Sequence, residues 1–165
     1  MWGGVKKSRF ARSCGFHANF YNTCGVIHWT DPNNGISQNV VVVAGGINTN
    51  GNAISSVELL FLDEYKTSKQ GWTLGPNLPQ SIYSAKMTEF QDGLILVGGV
   101  GQFETDNRHL YQLSTTHDGG PWFWTELKQT LKEGRNSAVS FLIPDEIVNC
   151  HWLTLLSRQS LIICD

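Results

Sequence analysis

Charged residues are scarce in this 165-residue chain: Asp, Glu, Lys and Arg make up 16% of it, against about 25% in ordinary soluble domains. The formal net charge is only -2, so the chain lacks the clustered Lys and Arg that favour nucleic acid or an anionic membrane surface. No apolar stretch approaches the roughly 20 residues of a membrane-spanning helix. We therefore expect neither a nucleic-acid partner nor a membrane partner.

Cysteine is also sparse, and its spacing carries no metal signature. The four cysteines include no Cys-x-x-Cys pair, so they fit neither a disulfide scaffold nor a zinc site. No Asn-x-Ser/Thr acceptor for N-glycosylation occurs either, which favours an intracellular chain. We expect a cytoplasmic protein with reduced cysteines. A secreted protein, with Cys14 bridged to Cys24, stays open if a signal peptide precedes this sequence.

Glycine and tryptophan, by contrast, recur at a fixed spacing. A β-branched apolar run over residues 39–44 ends in Gly45-Gly46, and an apolar run over 93–97 ends in Gly98-Gly99, 53 residues further on. Trp72 and Trp124 are separated by 52 residues. Self-similarity at a fixed period of this kind indicates a repeat architecture. Further strand signals lie at 56–62, 84–90, 108–113 and 136–143.

The period divides the chain into units of four strands. Asp92-Gly93 predicts a tight hairpin between the first two strands of one unit. The preceding unit opens at residues 12–16 and then carries an insertion near 17–38 with a turn-rich tip. We expect a truncated gene model or a piece of a larger protein. The predicted boundaries are 1–8 for the last strand of an earlier unit, including Trp2, 9–79 and 80–132 for two full units, 133–150 for a truncated third, and 151–165 for an off-pattern tail outside the fold.

Four antiparallel strands in roughly 50 residues, repeated in tandem, match the blade of a β-propeller. One blade cannot bury both faces of its sheet, so neighbouring blades stack around an axis. The predicted fold class is all-β: a partial β-propeller of about two four-stranded antiparallel blades plus the start of a third. The sequence resembles kelch repeats. The residues that carry the resemblance are Val43-Ala44-Gly45-Gly46, Leu96-Val97-Gly98-Gly99, Trp72, Trp124, and Arg12 and Arg135 at the position of an opening arginine.

The resemblance implies a protein-interaction scaffold rather than an enzyme, with no cofactor. Its partner would be a substrate of a ubiquitin ligase adaptor or a cytoskeletal protein such as actin. Two alternatives stay open: a piece of a galactose-oxidase-like copper enzyme, and a nonfunctional truncated product. Copper would need His and Tyr donors that converge at the axis, and the five histidines and four tyrosines show no such spacing. We assign no catalytic, cofactor-binding or metal residue.

The polar loops after the two Gly-Gly pairs are the candidate partner-binding sites. They occupy the same place in successive units, and loops on one face of a repeat protein commonly build its binding surface. Phe103 and Arg108 are the best contact candidates, because aromatic and Arg side chains dominate binding hot spots. Since a closed propeller takes about four to eight blades, the isolated chain should expose strand edges and self-associate. The candidate loop residues are Asn48, Asn50, Asn52, Phe103, Glu104, Asp106 and Arg108.

Overall fold

The computed structural model describes residues 20–63, 66–91, 93–101, 103, 105–116, 120–138, 141–144 and 159–162. These residues form antiparallel strands joined by turns, which confirms the predicted all-β class. No helix in this part of the chain is long and apolar enough to cross a membrane. The strands are β1 (Thr23–Thr30), β2 (Ser37–Ala44), β3 (Val57–Asp63), β4 (Lys66–Leu74), β5 (Ile82–Tyr83), β6 (Lys86–Phe90), β7 (Gly93–Val97), β8 (Val100–Gly101), β9 (His109–Ser114), β10 (Phe123–Thr130), β11 (Phe141–Pro144) and β12 (Gln159–Ile162).

Two four-stranded antiparallel sheets contain most of these strands. The first sheet has the order β1-β2-β3-β4, and the second has the order β6-β7-β9-β10. Two smaller pairings, β5 with β8 and β11 with β12, accompany them. The sheets follow chain order because each strand returns antiparallel beside the one before it in that sheet. The four-stranded units predicted from the sequence are therefore present.

The main hydrophobic core lies between the two sheets. β7 is buried along its whole length, and Val42 of the first sheet and Leu94 and Leu96 of the second are fully buried in one cluster. Gly25 lets β1 approach β7 closely, since a Cβ there would stand 3.0 Å from Leu94 Cδ2. A second cluster, on the far face of the second sheet, contains Ile95 and the residues that pack around it. The second sheet thus has buried apolar residues on both of its faces.

The pairing registers repeat between the sheets. Val43 pairs with Glu58 in the first sheet, and Leu96 pairs with Tyr111 in the second, so both partners advance by one repeat period. Glu58 therefore occupies the place of Tyr111.

The tryptophans obey the same register. Trp72 pairs with Leu60 and Trp124 with Leu113, so the two residues hold equivalent positions although their separation is one residue shorter than that of the Gly-Gly pairs. The one-residue difference lies between the third strand and the tryptophan, since Trp72 follows Leu60 by 12 residues and Trp124 follows Leu113 by 11.

The structure differs from the sequence expectation at residues 17–38, where the period predicts an insertion. β1 lies inside that range and pairs with β2 over its full length. Thr23 and Ile27 are buried four residues apart on one face of β1, so this stretch is a true strand of the first sheet. The extra length goes into longer strands and a longer β1–β2 turn, in which the Asp31 carboxylate accepts hydrogen bonds from the Asn33 and Asn34 side chains.

A second difference concerns residues 151–165, expected to lie outside the fold. Four of them form β12, which pairs antiparallel with β11 through Phe141 opposite Ile162 and Leu142 opposite Leu161. β11 in turn contacts β6 of the second sheet. No Gly-Gly pair marks this strand in the sequence, but apolar residues and pairing with a neighbouring strand suffice to form it. Trp2 and the other residues predicted at 1–8 lie outside the described part of the chain.

Candidate functional site

At each Gly-Gly pair, the end of the second strand of one sheet contacts the segment of chain that enters the next unit. The backbone N–H of Gly46 donates to the Ile82 carbonyl at 2.8 Å, and that of Gly99 donates to the Arg135 carbonyl at 2.7 Å. Gly45 has φ +62° and Gly98 has φ +66°, a region that favours glycine. A Cβ on Gly45 would overlap the Ile82 carbonyl oxygen, and one on Gly98 would overlap that of Arg135.

A chain of backbone hydrogen bonds links three successive units. The N–H of Ser84 donates to the Tyr21 carbonyl, and the N–H of Ser137 donates to the Ser84 carbonyl, both at 2.9 Å. All three residues have the same left-handed backbone, with φ between 52° and 57°. Ser84 and Ser137 thus lie at equivalent positions at the start of their units. Each donates a backbone hydrogen bond to the equivalent residue of the preceding unit.

The loop after Gly46 is held in shape by Asn48. Its side-chain Oδ1 accepts hydrogen bonds from the backbone N–H groups of Asn50 and Asn52, each at 3.0 Å, and its own N–H donates to the Asn52 carbonyl. This is the Asx-turn role that Asn commonly takes in loops. Asn50 and Asn52 are exposed. Of the three asparagines predicted to meet a partner, Asn48 uses its carbonyl oxygen to close the loop, and the other two present their side chains to solvent.

The loop after Gly99 exposes the predicted aromatic contact. The Phe103 side chain is 84% exposed, while the Asp106 carboxylate accepts a hydrogen bond from Asn136 Nδ2 at 2.7 Å. Arg108 is anchored by its Nε, which donates to the Leu131 carbonyl at 3.0 Å. Glu104 lies outside the described residues. The loop thus combines one unsupported aromatic ring with two charged side chains that are already oriented.

The two loops share one backbone design. Asn48 N donates to Asn52 O, and Gly101 N donates to Thr105 O one repeat period further along the chain. The bridge between Ile47 and Ala53 is matched by the bridge from Val100 to Asp106 at the same offset. Both loops follow the second strand of their sheet, at the end that carries the glycines. The candidate residues from the two units therefore sit at the same end of the two packed sheets.

Asn107 supports the second loop and was not singled out from the sequence. It is 5% exposed, and its Nδ2 donates to the carbonyls of Gly98 and His109, each at 2.9 Å. Its Oδ1 accepts a hydrogen bond from Gln80 Nε2 at 3.0 Å. A buried amide needs partners for both ends, and here the Nδ2 partners lie at the Gly98 turn, whereas Gln80 comes from the connection between the two units. Its place before a strand, in a loop rich in Asn and Asp, gave no signal that separated it from its neighbours.

Gln80 connects this network to Tyr111. Gln80 Nε2 also lies 3.0 Å from the Tyr111 hydroxyl oxygen. Burial of the ring raises the pKa of Tyr111 above 10.0, and the negative charge of Glu126 raises that pKa further, while the hydrogen bond from Gln80 partly offsets both. Tyr111 therefore stays neutral at ordinary pH and holds Gln80, which comes from the connection between the two units.

A small polar cavity opens beside this network. Its volume is about 180 Å³, and its walls include Gln80, Thr105, Asp106 and Arg108. The nearby His109 Nδ1 lies 2.7 Å from the Glu126 carboxylate, with both side chains about half exposed. The space is too small for most ligands, which occupy roughly 300–1,000 Å³. The cavity has room for about one amino-acid side chain, and its walls include one cationic residue, Arg108, and one anionic residue, Asp106.

Trp124 joins the two sheets through its polar end. Its indole Nε1 donates to the Pro76 carbonyl at 2.9 Å, and its ring packs against the main core. Pro76 belongs to the connection that leaves the first sheet. The hydrogen bond therefore ties the last strand of the second sheet to the chain that leaves the first.

The structure brings no metal-binding group together among the residues it describes, where no cluster of three or more His, Cys, Asp or Glu side chains occurs. Cys24 is a free, exposed cysteine, and its predicted alternative partner Cys14 lies outside the described residues. No protein-family model matches the chain, and no curated protein matches it.

Proposed function

We propose that the chain is part of a kelch-type β-propeller that acts as a protein-interaction scaffold. The observation that carries this proposal is the hydrogen-bond series through Tyr21, Ser84 and Ser137. The same contact, made by residues of the same conformation in each unit, is what tandem blades around one axis require. Two four-stranded sheets that share one core, and a strand β11 that contacts β6 of the second sheet, support the same arrangement.

In this proposal the partner binds the two loops at the Gly-Gly end. Phe103 supplies an exposed aromatic anchor, and the cavity beside Arg108 accepts a polar side chain of the partner. A partner contact would bury the Phe103 ring, which is now 84% exposed, and buried aromatic anchors dominate interface energies. The kelch resemblance makes the partner a ubiquitin-ligase substrate or a cytoskeletal protein.

A photo-crosslinking amino acid at position 103 tests the proposal. We expect it to capture a discrete partner from cell extract, and the capture of that purified partner to weaken in Arg108→Ala. The matched control carries the crosslinker at Leu74, which is 81% exposed on an outer strand. Equal capture of the same proteins from both positions would contradict a binding face at the loops. Binding assays with purified filamentous actin and with cullin-based ligase components then separate the two partner classes.

Self-association of the isolated chain is the second part of this proposal. A ring of blades that is not closed leaves sheet edges and faces without their neighbour. Light scattering at increasing concentration should therefore show growing mass. A monodisperse monomer with a sharp cooperative melt would refute this part and leave the loop proposal standing.

A further inference from the structure

A larger cleft lies at the opposite end of the strands from the Gly-Gly turns. Its volume is about 510 Å³, within the range of about 300–1,000 Å³ typical of small-molecule sites. The walls come from the end of β1, the β1–β2 and β6–β7 turns and the end of β9. Among the described residues that line it, none is Asp, Glu, Lys or Arg; most carry a hydroxyl or an amide group.

Several polar groups at this cleft are available to a ligand. The Gln112 amide, the Ser114 hydroxyl and the Trp29 indole N–H make no hydrogen bond to another described residue. Gln112 and Ser114 are half-buried and lie two residues apart on β9, so they share one side of the strand. Half-buried polar groups that have no protein partner form their hydrogen bonds with water or with a ligand.

The repeat shows that these polar residues replace apolar ones. The register pairs Val42 with Leu59 in the first sheet and Ile95 with Gln112 in the second, so Gln112 occupies the place of Leu59. Leu59 is 3% exposed. By the same shift of one repeat period Ser114 stands for Phe61, which packs on the main core. The second sheet thus gives up apolar packing at this end and gains hydrogen-bonding groups.

Trp29 forms a rigid aromatic wall of the cleft. Its ring centroid lies 6.1 Å from that of Phe61 and 5.9 Å from that of Trp122, in tilted and edge-on arrangements. These two contacts, from different sheets, restrain the orientation of the indole. A restrained aromatic ring offers apolar surface at little entropic cost, and the indole adds one hydrogen-bond donor.

We propose that this cleft binds a neutral, polyhydroxylated small molecule, namely a mono- or short oligosaccharide. Sugar hydroxyls both donate and accept hydrogen bonds, and Ser, Thr and Gln side chains do the same. The apolar C–H face of a pyranose suits the Trp29 ring, which lines the cleft. This inference does not depend on the proposed function, since the loops at the other end take no part in it.

Saturation-transfer NMR with neutral methyl glycosides tests the inference. The probes are the methyl glycosides of glucose, galactose, mannose and N-acetylglucosamine, titrated on the full chain to about 20 mM, a range that detects millimolar affinity. We expect saturable binding of at least one probe. Gln112→Leu should weaken it about tenfold, and Ser114→Ala should weaken it also. Thr105→Ala, in the small cavity at the other end, is the matched control and should leave binding unchanged.

Gln112→Leu is expected to fold, because leucine already occupies the equivalent place in the first sheet. An unchanged thermal melt of this variant then assigns its loss of binding to the missing amide. The proposal is overturned if no glycoside binds saturably, if Gln112→Leu and Ser114→Ala both leave binding unchanged, or if methyl glucuronide binds more tightly than methyl glucoside.

Discussion

Replacing Gly98 by alanine tests how the units are joined. Gly98 has φ +66°, and a Cβ placed on it would overlap the carbonyl oxygen of Arg135, the residue that leads into the third unit. The same oxygen accepts the hydrogen bond from Gly99 N at 2.7 Å. To make room, Arg135 must move, and that movement lengthens the hydrogen bond. The substitution therefore strains the backbone at position 98. It also weakens the hydrogen bond between Gly99 and Arg135, which joins two units.

The magnitude follows from two separable effects. A left-handed backbone costs a non-glycine residue roughly 1–2 kcal/mol, and overpacking costs about 1–3 kcal/mol more, so Gly98→Ala should lower the free energy of unfolding by about 2–5 kcal/mol. Two glycines separate the effects. Gly51 has φ +82° with no atom within 4 Å of an added Cβ, so its alanine variant should lose only about 1–2 kcal/mol. Gly101 has no positive φ, and its nearest contact would be 3.7 Å, so alanine there should be neutral or stabilise slightly.

Thermal and urea unfolding of the three alanine variants against the parent chain measures this order. For a chain of this length, each kcal/mol corresponds to roughly 2–4 °C in Tm. We expect Gly98→Ala to have the lowest Tm and Gly51→Ala the next lowest. The Tm of Gly101→Ala should be close to that of the parent chain. If Gly98→Ala and Gly51→Ala have the same Tm, the steric overlap with the Arg135 carbonyl does not contribute, and only the left-handed backbone conformation affects stability.

Three further predictions concern the network around the second loop. Asn107→Ala should lower the free energy of unfolding by about 2–4 kcal/mol, because two carbonyls lose their donor in a buried place; a loss below about 1 kcal/mol in urea unfolding would argue against the network. Trp124→Phe should cost about 1–3 kcal/mol by leaving the Pro76 carbonyl without its indole donor, with circular dichroism melts as the measurement. Because the folded-state pKa of Tyr111 is raised, its contribution to stability is present below pH 10.0 and is lost as the pH rises from there through that pKa. Tyr111→Phe should remove this alkaline loss. If the free energy of unfolding of the parent chain and that of Tyr111→Phe change equally above pH 10.0, the phenol is not buried as described.

The loop residues show how far side-chain roles follow from sequence. Phe103 was expected to be an exposed contact, and its ring is indeed almost fully exposed. Asn48 looked equally suitable, but its side chain closes its own loop. Asn107, by contrast, fills a gap left by the turn at Gly98 and bonds to Gln80 of the preceding connection. Local sequence cannot distinguish these asparagines, because the difference lies in which backbone groups surround each one.

The repeat could be predicted because glycine and tryptophan mark positions where a specific physical constraint applies. Gly45 and Gly98 stand where another carbonyl leaves no room for a Cβ, and Trp72 and Trp124 occupy equivalent places opposite the third strand of each sheet. Those constraints are the same in each unit, so they appear as a period. β1 and β12 have no such marker, since any apolar or alternating segment can pair with an open strand edge. The repeat period therefore did not predict either strand.

The sequence by itself determined the all-β class, the recurring four-stranded unit and the places of the Gly-Gly turns, because strand propensity, turn chemistry and steric exclusion act locally. Only the tertiary structure decided which strands complete each sheet, which asparagine is structural, and that Gln112 and Ser114 line a cleft where the first unit has apolar residues. These outcomes depend on what a neighbouring sheet brings within hydrogen-bond or packing distance. A residue's own sequence neighbours do not contain that information.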